Sequence, residues 1–107
     1  MKLDKAGKNM TIDKKLNKTE LTISLEGRLD TIMAPQLETE LKDSFNVITS
    51  LVLDFSRLDY ISSAGLRVLL SAQKVMNKQG KMCIQNVNKT IQEVFDVTGF
   101  SDILTIK

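Results

Sequence analysis

From Ser50 to Phe55 the chain reads Ser-Leu-Val-Leu-Asp-Phe, an apolar run interrupted only by Asp54. Such a run marks a central strand covered on both sides, and strands of that kind belong to sheets connected by helices. The rest of the chain supplies those connections. Pro35, with Leu37, Leu41 and Phe45 at helical spacing, predicts a helix over about residues 34 to 46, proline being well tolerated in a first turn. A second helix runs from Ser63 to about Lys78 and stops at Gly80, a residue suited to a left-handed C-terminal position. Lys81 to Gln85 makes a short strand, and Asn88 to Thr98 makes a third helix that carries Ile91, Val94, Phe95 and, near its end, Val97, and is closed by Gly99. Ile103 to Ile106 makes a last strand.

Before the first helix, Leu21, Ile23 and Leu25 alternate onto one face, Met10 to Lys14 alternates more weakly, and Leu16 to Glu20 suits a hairpin turn. Gly27 breaks the alternation. The predicted order is β-β-α-β-α-β-α-β, which implies right-handed crossovers and a single α/β domain: a mostly parallel central sheet, an N-terminal antiparallel hairpin at its edge, and three helices. Residues 1–9 are polar and without periodicity and are expected to be a flexible terminus, with the domain over 10–107.

With 107 residues the chain holds one core and one fold must carry the function. It has no histidine, which excludes a Ser-His-Asp triad, a histidine-ligated metal and a phosphohistidine relay. The lone Cys83 can form neither an internal disulfide nor a zinc cluster, and Met82-Cys83-Ile84 reads as a buried strand. No metal and no cofactor is expected. The net charge is +2, with lysines gathered at Lys2, Lys5, Lys8, Lys14, Lys15 and Lys18, a weak footprint for nucleic acid that solvated lysines explain equally well. No apolar stretch approaches the length of a membrane span or a signal peptide, so a cytoplasmic location without membrane insertion is expected.

On a helical wheel the apolar residues of the second helix cover roughly 220°, where packing on a sheet needs little more than 100°. The surplus, Val68, Ala72 and Val75, either docks a partner or is consumed by a neighbouring helix; Arg67, Ser71, Lys74 and Lys78 form a basic, hydrated edge. The chemistry concentrates where that helix begins. Of the adjacent hydroxyls of Ser62 and Ser63, one suffices as an N-cap. If Ser62 caps, Ser63 lies in the first turn with its hydroxyl toward solvent, and Ala64 and Gly65 leave room for another molecule to approach. A phosphate on Ser63 would add a charge of about −1.5 to −2 that a helix N-terminus tolerates.

The segment Leu53-Asp54-Phe55, continued by Tyr60-Ile61-Ser62-Ser63-Ala64-Gly65-Leu66-Arg67-Val68-Leu69-Leu70, resembles the signature of STAS domains, in particular bacterial anti-sigma-factor antagonists. Gly27-Arg28-Leu29-Asp30-Thr31 with Ala34-Pro35 resembles the first motif of that family, and Val94 to Phe100 its last. The resemblance implies a partner-binding switch. The unmodified protein binds an anti-sigma factor that is also an ATP-dependent serine kinase and so frees the sigma factor; phosphorylation breaks the complex, and a PP2C-type phosphatase restores it. The acceptor aligns with Ser63, flanked here by Ser62 and Ala64 where many members carry Asp and Ser or Thr. Asp30 matches an acidic residue that the family turns toward the kinase; from the residues alone it is equally a turn or capping carboxylate. The partner surface implied comprises Asp30, Ser62, Ala64, Gly65, Arg67, Val68, Ala72 and Val75.

Two other classes compete with the switch. Ser63 as an enzyme's nucleophile would need a base within hydrogen-bond reach, and without histidine only Asp30 or distant lysines remain. A non-switching adaptor of a lipid- or anion-transport system would use the same fold without modification of the serine. Phosphate incorporation separates it from the switch.

Overall fold

Two long parallel strands, β2 (Glu20–Leu29) and β3 (Ser50–Ile61), form the spine of the sheet, paired from Glu20 opposite Ser50 to Leu29 opposite Ile61 with two register shifts between. The computed structural model describes residues 10–107; the expected flexible terminus, 1–9, lies outside the described residues. β1 (Met10–Asn17) folds back antiparallel on β2 through a tight turn in which Lys18 takes a positive φ of 58°. β4 (Lys81–Gln85) lies parallel to β3 on its other side, which gives the order β1-β2-β3-β4. Helices α1 (Ala34–Ser44), α2 (Ser63–Gln79) and α3 (Lys89–Thr98) fill the intervals, as the periodicity predicts. Gly27 does not end β2. With φ of 107° it sits among the register shifts of a bulge, and the strand continues to Leu29.

Among the described residues the sheet is covered on one face only, which corrects the reading of β3 as covered on both. Leu21, Ile23, Leu25 and Leu29 of β2, Leu51, Leu53, Phe55, Leu58 and Ile61 of β3, and Met82 and Ile84 of β4 are all buried. Their alternates Thr22, Ser24, Val52, Asp54, Cys83 and Gln85 are only half-buried. Cys83 is therefore a partly exposed residue of the open face and not a core one. The three helices share the other face: Leu37 and Leu41 of α1, Leu66, Leu69 and Met76 of α2, and Ile91 and Phe95 of α3 join the core, where the Phe95 and Phe55 rings lie 6.5 Å apart. Two successive right-handed crossovers stepping the same way across the sheet place α1 and α2 on the same side.

The last predicted strand reduces to a single parallel bridge between Ile84 and Ile106. A 3-10 turn at Phe100–Asp102 precedes it, and Leu104 turns back to donate its N–H to the Phe100 carbonyl and bury its side chain. Core filling takes precedence there over strand pairing. Gly80, expected to be left-handed, is extended; Gly99 takes the left-handed conformation, with φ of 84°, and Val97, expected on the apolar side of α3, is 86% exposed.

On the open face, Asp54 Oδ1 accepts from the Asn86 side chain and from the Ser56 N–H, both at 3.0 Å. The Asn86 hydrogen bond, with that of Ser56, holds the Asp54 carboxyl below its ordinary value of 3.8. A depressed folded-state pKa means that the unfolded chain binds the proton more readily. The resulting stabilisation is present above the unfolded pKa and is lost as pH falls through the folded one. Urea midpoints of the wild type and Asp54→Asn are expected to differ by a constant amount above about pH 5 and to converge below 3.8. A difference that stays constant to pH 2.5 would contradict the assignment.

Candidate functional site

The register of the two spine strands builds the site. Because Leu29 pairs with Ile61 at the C-terminal edge of the sheet, the residues that follow, Asp30 and Ser62, leave it side by side. The Ser62 N–H donates to the Leu29 carbonyl at 2.9 Å and fixes that exit. Ser62 is extended, with φ −96° and ψ 174°, and its Oγ accepts from the Gly65 N–H at 3.2 Å: it is the N-cap of α2. Ser63 is the first helical residue and is exposed. Among the described residues its hydroxyl has no hydrogen-bond partner, so its Oγ is presented at the positive end of the helix.

Gly65 is buried, and the reason is internal. A Cβ there would stand 2.8 Å from Leu29 Cγ, 2.9 Å from Ile61 Cγ1 and 3.0 Å from the Leu29 carbonyl oxygen. The glycine lets the first turn of α2 lie against the sheet edge, so the expectation that it makes room for a visitor is corrected. Ala64, one residue earlier, is the small residue that does face outward, half-buried on the rim of a groove.

Asp30 closes the turn into α1. Its Oδ1 accepts from the Ile32 and Met33 N–H groups at 3.1 and 3.0 Å, and its carbonyl accepts from the Ala34 N–H at 2.9 Å. The turn role is therefore filled by one carboxylate oxygen, and among the described residues Oδ2 is unengaged. α1 and α2 then diverge enough to leave an open groove between Ala34, Pro35 and Glu38 on one wall and Ala64, Arg67 and Ser71 on the other.

The surplus apolar arc of α2 is mostly consumed by this packing. Ala72 is 1% exposed and Val68 7%, against the α1 side, which removes both from a docking stripe. Val75 alone remains half-buried, at the lip of a smaller hollow shared with Leu41 and Phe45. Ser63, Ala64, Arg67 and Asp30 are thus brought to one surface, and Gly65, Val68 and Ala72 support it from beneath.

One residue of this surface escaped sequence reasoning. Ile32, in the loop between Asp30 and α1, is 71% exposed, an apolar side chain set in solvent beside the junction. Its isolation from any periodic segment was the only available signal. On the other side, Tyr60 is partly exposed with the Arg28 guanidinium 4.1 Å from its ring centroid, a cation–π contact across paired residues of β2 and β3. Among the described residues no cluster of carboxylates and thiol could hold a metal ion, and no helix is long and apolar enough to cross a membrane.

Comparison with known proteins agrees with this architecture. The chain is 40% identical over 88 residues to BtrV of Bordetella bronchiseptica, to which the role of anti-sigma factor antagonist is ascribed, covering 80% of this chain and 76% of that one. It is 28% identical over 99 residues to the anti-sigma-B factor antagonist of Bacillus subtilis, covering 92% and 91%. In three dimensions it resembles the anti-sigma factor antagonist SpoIIAA in its unphosphorylated form, with a TM-score of 0.75 at 19% identity over 91% of this chain and 87% of that one, a likeness of fold. The family model that matches residues 11–107 is that of the STAS domain, and the chain belongs to the STAS domain family.

Proposed function

We propose that the chain is an anti-sigma-factor antagonist: unmodified, it binds an anti-sigma factor through the surface around Ser63, and a phosphoryl group on Ser63 breaks that complex. The observation that carries this reading is the division of labour between the two serines. Ser62 is committed to the cap, and Ser63, one residue later, is exposed and unengaged among the described residues. The names of the relatives support the antagonist over the transport adaptor. Asp30, Ala64, Arg67, Ile32 and Val75 form the contact surface in this reading, and the anti-sigma factor is the serine kinase.

In the modifying step the γ-phosphoryl of ATP passes to Ser63 Oγ, the hydroxyl proton leaves, and ADP is released. A PP2C-type phosphatase reverses the state by hydrolysing the ester to serine and inorganic phosphate. The chain itself supplies the acceptor and no catalytic group. The expected outcome of incubation with its cognate anti-sigma kinase and ATP is one phosphoryl group per chain, abolished in Ser63→Ala and retained in Ser62→Ala. An unlabelled wild-type chain, or label that survives Ser63→Ala, would overturn the proposal.

A further inference from the structure

We propose that Arg67 is a built-in receptor for a phosphoryl group on Ser63, folding back over the first turn of α2 to form charge-assisted hydrogen bonds with it. The inference rests on the reading of Ser63 as the modified residue and adds how the modified state is held. Ser63 and Arg67 are separated by four residues in one helix, and both are exposed. Such pairs are neighbours on a helix surface, with Cβ atoms about 5–6 Å apart. A long side chain on a helix also leans toward the N-terminus, over the turn that precedes its own Cα. The direction of lean carries the guanidinium toward Ser63, and its fork of donors matches phosphate geometry.

The three arginines of the chain differ in a way that singles this one out. Arg28 is stacked on Tyr60, and Arg57 lies 3.8 Å from Glu26. Arg67 has no ion pair among the described residues, although Glu38 lines the opposite wall of the same groove. Among the described residues, no ion pair holds its guanidinium that a phosphate would have to displace. Capture of the phosphate would also draw Arg67 away from the groove that it lines in the unmodified chain, so one event adds negative charge and withdraws a positive contact from the partner surface.

The test uses the whole chain with phosphoserine installed at position 63 during translation, so that it does not depend on any kinase. The second ionisation of the phosphate is followed by phosphorus NMR at low ionic strength in the wild type, Arg67→Gln and Arg67→Lys. Of the other charged groups near the junction, Asp30 on the loop into α1, Glu38 on α1 and Asp59 on β3 push that ionisation upward and Arg28, stacked on Tyr60, pulls it downward; these groups and the helix N-terminus are common to all three chains. The wild type is expected to ionise about 0.3 unit lower than Arg67→Gln, the scale of an exposed pair at this spacing, with Arg67→Lys between them. The Arg67 Nε–H resonance is expected to move downfield on phosphorylation. Equal ionisation in wild type and Arg67→Gln, with an unmoved Nε–H signal, would overturn the receptor role. It would leave the labelling result at Ser63 standing, since failure of that reading shows instead as absent incorporation by the kinase.

Discussion

Ser63→Asp is expected to weaken binding to the cognate anti-sigma factor by at least about 30-fold, because a carboxylate forced into a contact built for a neutral hydroxyl costs roughly 2–5 kcal/mol when left desolvated and unpaired. The fold should not share that loss. Position 63 opens α2, where an acidic group meets the positive end of the helix and is stabilising by about 0.3–1 kcal/mol. The melting temperature of Ser63→Asp is therefore expected to equal or exceed that of the wild type while binding collapses. Ser63→Ala removes the proposed acceptor and nothing else, since the hydroxyl is unengaged among the described residues, and is expected to bind at wild-type affinity and to stay bound in the presence of ATP. The pair is measured by calorimetric titration alongside thermal melts. A Ser63→Asp chain that binds like the wild type would mean that the contact lies elsewhere.

Gly80→Ala is expected to be the most damaging conservative change for stability, at about 3 kcal/mol, the upper part of the range for overpacking. A Cβ at this position would lie 1.8 Å from the Thr49 carbonyl oxygen and 2.6 Å from its carbon, so the backbone itself must move. That backbone is tied on both sides. The Thr49 N–H donates to the Thr19 carbonyl at 2.9 Å, the Thr49 and Thr19 hydroxyls meet at 2.8 Å, and the Lys81 N–H donates to the Thr49 carbonyl at 3.1 Å. Yielding at Thr49 disturbs the starts of β3 and β4 and the hairpin turn together. In urea denaturation the midpoint is expected to fall with little change in slope, and a loss below about 0.5 kcal/mol would show that the contact relaxes freely. Gly80 lies at the opposite end of α2 from Ser63, so at low temperature the variant should still accept phosphate.

The elements were legible because their periodicities are strong. Leu37 and Leu41 announced α1, the alternation of Leu21, Ile23 and Leu25 announced β2, and the capping pattern placed the start of α2 at its true residue. The number of covered faces was not legible. Val52 between Leu51 and Leu53 made β3 look apolar on both sides, yet a valine beside Thr22 and Cys83 suits a half-buried open face just as well. The fate of Ala72 and Val68 depended on how closely α1 approaches α2, a distance no wheel contains. Gly65 shows the same limit: a glycine near a candidate acceptor serine suggests open space, and only the packing reveals that the space is already occupied by Leu29 and Ile61. One helix end needs one cap, so one of Ser62 and Ser63 was expected to be free, and the Gly65 N–H bond to Ser62 Oγ decides which.

The partner-switching account stands on the effect of a phosphoryl group at one exposed hydroxyl. Titration of the cognate anti-sigma factor with the unmodified chain and with the chain carrying phosphoserine at position 63, in the same buffer and at the same ionic strength, measures that effect directly. The account predicts binding of the unmodified chain and an affinity at least about 30-fold lower for the phosphorylated one. Equal affinities for the two forms would contradict it.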